Sequence, residues 1–246
     1  MGERLENCNF FIDAHCHMCS SEFESDLPLV VERAKSAGVR ACLVNTEFLR
    51  EFSAVIIQAK AYPGFLLPCM GIHPVQYSDE LPDNIPRAAK LKDYEGAEGI
   101  IRDHVDNLIA IGEIGLDFTP RYLSDTNPDT DKAEQKEVFR RQICLALELD
   151  LPVICHSRSA GKHVIDELCN AGVKRALLHA FDGNVKSARK GIEAGNGLSS
   201  YLAVNFSGIS PFQCNNTYVY RYLVESLQAF NSFEPFLFCG ETKSGS

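Results

Sequence analysis

No hydrophobic run in the sequence is long enough to cross a membrane. The longest apolar stretch, residues 65–72, falls far short of the ~18 residues a span needs. Nothing near Met1 combines a basic segment with an apolar core, so no secretory leader is expected. Positive charge is in deficit as well: 33 Asp and Glu stand against 24 Lys and Arg, a net of −9. Non-specific affinity for nucleic acid comes mainly from neutralising phosphate, so this balance excludes a general nucleic-acid binder. It does not exclude an enzyme that concentrates cations, bound or side-chain, in one cleft. Cys16 and Cys19 form a Cys-x-x-Cys with no second pair to complete a zinc ribbon. No repeat, low-complexity tract or Gly/Ser linker divides the 246 residues. The expectation is one domain over residues 1–246, monomeric and without membrane association. It is expected inside the cell, in cytoplasm or nucleus.

What is present is a rhythm. Short apolar runs bounded by turn residues alternate with longer stretches of helical period. Residues 10–14, 41–45, 66–71, 108–112, 152–155, 176–178, 198–204 and 236–239 read as strands. Cys42, Cys69 and Cys155 fall inside these runs and are expected to act as small buried hydrophobes. Between the runs, residues 27–37 read as a helix, with Asp26 as N-cap and Gly38 just past its end. Residues 132–149 place Phe139, Ile143 and Ala146 on one face, and 159–171 do the same with Val164, Ile165 and Leu168. Residues 185–194 form the last clear helical stretch, ending at Gly195.

Continuous apolar strands alternating with helices mean a parallel sheet covered on its faces. Eight of them in a chain of this length predict an α/β fold, a TIM (β/α)8 barrel. The doubly wound alternative lacks a Gly-x-Gly-x-x-Gly after a strand. The chain stops at Ser246, directly after the eighth expected strand, so the barrel reads as truncated there, with its C-terminal helices missing.

On this scaffold the histidines gather at one edge. His15 and His17 follow the first strand, and alternate residues of an extended chain point the same way. Glu113 ends the fourth strand, His156 the fifth and His179 the sixth. All lie at carboxyl ends of strands, where barrel enzymes keep their sites. A lone histidine there is most often structural. Four imidazoles and a carboxylate at one edge instead suit a pair of divalent cations that activate water and clamp the oxygens of a transition state.

These segments resemble the TatD family of metal-dependent hydrolases, nearest its third eukaryotic TatD-domain subgroup. The resemblance is carried by Ile12-Asp-Ala-His-Cys-His17, Gly71-Ile-His-Pro74, Ile111-Gly-Glu-Ile-Gly-Leu-Asp117, His156-Ser-Arg158 and His179-Ala-Phe-Asp-Gly183, in that order. It implies a TIM barrel of the amidohydrolase type that cleaves DNA phosphodiesters with two divalent cations, zinc, manganese or magnesium. His15, His17 and Glu113 would then hold one cation and Glu113, His156 and His179 the other, with Glu113 bridging and central to catalysis. Arg158, two residues past a ligand, faces the same mouth and is expected to bind phosphate, as is His73; Arg121 is a weaker candidate. Asp117 is expected to orient a ligand histidine from behind.

The resemblance departs at the end of the chain. The family closes its site with an aspartate in Glu-Thr-Asp-Ser, whereas this chain reads Gly240-Glu-Thr-Lys-Ser244. Two like unit charges about 4 Å apart repel by roughly 4 kcal/mol at an effective dielectric of about 20, and a dication doubles that. Lys243 therefore motivates an alternative, a non-catalytic or impaired relative. A metal-dependent hydrolase of another ester or amide is the third reading.

Overall fold

The structure is a computed structural model that describes residues 11–78, 85–179, 181 and 183–194. Six strands, β1 (Phe11–Cys16), β2 (Val39–Asn45), β3 (Leu66–Met70), β6 (Ala110–Asp117), β7 (Val153–Arg158) and β8 (Ala176–Leu178), form one sheet in that order. Every neighbouring pair is parallel. The sheet curls into a half-barrel, the first six strands of the expected TIM barrel. The expected strands at 198–204 and 236–239, Gly195, Lys243 and the end of the chain lie outside the described residues.

The connecting helices are amphipathic and cover the convex face. Helix α1 (Leu27–Ser36) begins after Asp26, whose side chain makes no capping bond, and Pro28 pre-sets its first turn. Gly38 follows at φ +88°, a left-handed turn that glycine takes without steric cost. Helix α2 (Phe52–Ala61) buries Phe52, Val55 and Ile56, an i, i+3, i+4 pattern that the sequence reading left unassigned. The long α5 (Pro128–Glu148) buries Phe139, Ile143 and Ala146, and α6 (Gly161–Ala171) buries Val164, Ile165 and Leu168. Full burial of one such large apolar side chain stabilises by roughly 1.5–3 kcal/mol. Helix α7 spans Val185–Ala194. Between β3 and β6 lie an unanticipated antiparallel pair, β4 (Val75–Tyr77) and β5 (Pro86–Ala88), and two short helices, α3 (Leu91–Tyr94) and α4 (Ala97–Asp103).

Strand alternation sorts the side chains. Cys42, Val44, Cys155 and Leu178 pack outward with the helices, while Ala41, Leu43, Leu67, Cys69, Ile154 and Leu177 pack against one another on the concave side. The cysteines at 42, 69 and 155 are buried, as expected of small hydrophobes, and no helix among the described residues is long and apolar enough to cross a membrane.

Candidate metal centre at the carboxyl ends of the strands

Two strands break their alternation where the site begins. On β1, Ile12 and Ala14 pack on the concave side, so simple alternation would turn His15 and His17 outward. Asp13 pairs with Cys42 but Cys16 with Val44, three residues opposite two, a bulge. It resets the parity, Cys16 packs outward, and both imidazoles join the concave side. Strand β6 repeats the device, with Ile111 opposite Val153 and Ile114 opposite Cys155. Glu113 sits in that second bulge. The strand thus runs on through Asp117 rather than ending at Gly112, and β7 likewise runs through His156 to Arg158. Gly112 leaves room for a neighbour, since a Cβ there would lie 2.7 Å from Asn45 Oδ1. Gly115 has φ +138° and passes so close to the His156 backbone that no side chain fits.

Five imidazoles converge on the Glu113 carboxylate, which is 1% exposed, and its two oxygens divide them. Oε2 lies 3.2 Å from His15 Nε2 and 3.2 Å from His17 Nε2. Oε1 lies 3.0 Å from His156 Nδ1 and 3.7 Å from His73 Nε2, and it contacts His179 Nε2. The His15 ring stacks on that of His179, centroids 3.6 Å apart.

Hydrogen bonds on the far side of two of the rings assign their free nitrogens. His17 Nδ1 donates to the Asn45 carbonyl at 3.1 Å, leaving the Nε2 lone pair toward Glu113. His156 Nε2 donates to Asp117 Oδ2 at 3.1 Å, leaving Nδ1 free. The expected support of a site histidine by Asp117 is therefore present as a contact. His73 is the exception, because its Nδ1 lies 3.0 Å from the Val75 nitrogen and 3.2 Å from the Val75 carbonyl oxygen, and can accept from the one or donate to the other. Its Nε2 lies 3.1 Å from His156 Nδ1, and His73, Glu113 and His156 lie close enough together to bind an ion.

The donor set fits cations. Nε2 of His15 and of His17 are 3.1 Å apart, so with Glu113 Oε2 they form a triangle of nearly equal edges. Ligand atoms about 2.0–2.1 Å from a shared ion are separated by about 3.0–3.4 Å. Lone pairs this close repel unless a proton or a cation lies between them, and buried His15 Nδ1 has no partner at all. In the metal-free chain protons take that role. Burial disfavours a charged His17, but its hydrogen bond and attraction to Glu113 prevail and raise its pKa to about 9. His156 is likewise raised to about 9, burial being outweighed by Asp117 and Glu113. Burial also opposes ionisation of Glu113, yet the surrounding imidazoles hold its pKa well below the usual carboxylate range. His73 is dominated by burial and falls to about 4.

Several residues that the sequence reading passed over hold this arrangement. Gln142 of α5 accepts from the Ile72 N–H at 2.8 Å and donates to the Ile72 carbonyl at 3.1 Å. Gln135, about two turns earlier on the same face, accepts from the Asp117 N–H at 2.9 Å and donates to the Pro74 carbonyl at 2.8 Å. Both are buried, and two buried glutamines on an otherwise apolar helix face were the available signal. Arg158 reaches the rim, exposed and without an ion pair among the described residues. Arg121, also exposed, covers the Tyr122 ring.

The fold is the first part of a TIM barrel of the amidohydrolase type, with one carboxylate shared between two sets of imidazoles at its strand ends. The profile of the family described as TatD related DNase matches residues 12–225. Human deoxyribonuclease TATDN3 is 45% identical over 184 residues, 75% of this chain and 65% of its own length. A 3'-5' ssDNA/RNA exonuclease TatD from Pectobacterium carotovorum is 31% identical over 70% of this chain and 60% of its own length. Among solved structures, the TatD homolog YJJV of Escherichia coli superposes with a TM-score of 0.61 at 28% identity, covering 75% of this chain and 65% of the other. The chain belongs to the TatD family, and it spans less than two thirds of the length of these relatives.

Proposed function

We propose that this chain is a metal-dependent nuclease that hydrolyses phosphodiester bonds of DNA at the Glu113 cluster. The observation that carries the reading is the division of imidazoles between the two oxygens of one buried carboxylate. His15, His17 and Glu113 Oε2 would hold one divalent cation, and Glu113 Oε1, His156 Nδ1 and His179 the other. Zinc, manganese or magnesium bound there would polarise phosphoryl oxygens and lower the pKa of a water.

The chain's own groups do the rest. Asp117 fixes the His156 ring so that Nδ1 faces the site, and the Asn45 carbonyl does the same for His17 Nε2. His73, its ring held at Nδ1 by the Val75 backbone, would turn Nε2 toward an oxygen of the scissile phosphate. Arg158, exposed at the rim and without an ion pair among the described residues, supplies a planar fork for phosphate oxygens. The reading is supported by the relatives named as nucleases.

The test is cleavage of a labelled single-stranded oligonucleotide by the purified chain in manganese. Cleavage that EDTA abolishes and Glu113→Gln removes is expected. A folded chain that shows no chelator-sensitive cleavage of any nucleic acid overturns the reading.

A further inference from the structure

We infer that Tyr77, backed by Phe48, is a stacking platform for an unpaired nucleobase of a strand whose phosphodiester lies at the Glu113 cluster. The inference rests on the nuclease reading above. Tyr77 of β4 is 39% exposed, large for an aromatic ring. Its inner face stacks on Phe48, centroids 5.3 Å apart and planes at 30°, while Phe48 itself is buried. The Arg50 guanidinium lies 3.9 Å from the Phe48 ring centre, is exposed, and makes no ion pair with a described residue. The exposed Tyr77 face offers a surface for a base, and Arg50, over the Phe48 ring behind it, a charge for a phosphate of the same single strand.

The platform is bolted to the site. The buried Glu51 carboxylate accepts from the N–H of Glu47 at 2.7 Å and of Phe48 at 3.2 Å, fixing that loop. The Glu47 carbonyl in turn accepts from the His73 N–H at 3.0 Å and from Gln76 Nε2 at 2.8 Å. Phe48 and Tyr77 are thereby held in register with His73 and with Asn45, which orients His17. In a duplex the base faces are already stacked on each other, so the platform favours single strands and frayed ends. Because every base has such a face, it reads no sequence.

The experiment compares binding of a fluorescent oligothymidylate with binding of the same strand carrying abasic tetrahydrofuran units, both in EDTA to prevent cleavage. Tyr77→Ala should weaken the oligothymidylate by about tenfold, leave the abasic strand unchanged, and leave the thermal midpoint near that of the parent; Tyr77→Phe should bind as the parent does. Equal binding of the oligothymidylate by Tyr77→Ala and the parent overturns the platform while leaving the nuclease reading intact. A parent chain that binds neither strand in EDTA and cleaves neither in manganese overturns both.

Discussion

The concave face of the sheet changes chemistry within one step of each strand. Leu43, Cys69, Ile154 and Leu177 pack on one another in the lower half. Two residues further along the same strands, the same side presents Asn45, Gly71, His156 and His179. The lower half is a dry plug whose members gain from leaving water. The upper half gathers five imidazoles and two carboxylates, Glu113 and Asp117, that are costly to bury and are tolerated because they satisfy one another. One half carries stability and the other chemistry, and the strand period lets one backbone serve both.

Breaking each half should therefore give opposite signatures. The largest effect is expected from Glu113→Gln, which removes the shared charge; kcat/KM for oligonucleotide cleavage should fall well beyond the about 10–100-fold typical of changes behind a ligand. The plug variant Leu43→Ala should lose about 2–5 kcal/mol in urea unfolding, with activity per folded molecule preserved. Asp117→Asn should weaken zinc by roughly 10–100-fold in chelator competition, the folded fraction staying unchanged. Arg158→Gln should raise KM by about tenfold, as the loss of one charge-assisted contact to phosphate would, and leave kcat alone.

The smallest effect is a pH dependence of the metal-free chain. His17 and His156 have pKa values raised from 6.5 to about 9. Their protonation favours the folded state, so that contribution is complete below pH 6.5 and is lost as pH rises through about 9. Melts in EDTA should shift down by a few degrees across that interval. A midpoint that rises instead would contradict the protonated cluster.

Much of this was legible before any coordinates. Of the eight apolar runs read as strands, the six within the described residues are parallel strands of one sheet, and the spacing of Phe139, Ile143 and Ala146 marked the buried face of α5. His156 and His179 follow from plain alternation after Ile154 and Leu177. His15, His17 and Glu113 do not, because each lies at a bulge, and an extra residue leaves no trace in hydrophobic periodicity. The expectation that His15 and His17 point together was right, but simple alternation continued from Ile12 and Ala14 would have placed them on the wrong face. The roles of Gln135 and Gln142 depend on carbonyls of Pro74 and Ile72 that are distant in sequence, which no local pattern reveals. The β4–β5 pair was missed because its strands are only three residues long.

The claim that one buried carboxylate organises two cation sites is tested most directly by counting metal. The chain, dialysed against manganese or zinc and then freed of excess, is assayed for ions per folded molecule beside its Glu113→Gln variant. Two ions in the parent and a loss in the variant are the predicted result. One ion or none in a folded parent would contradict it.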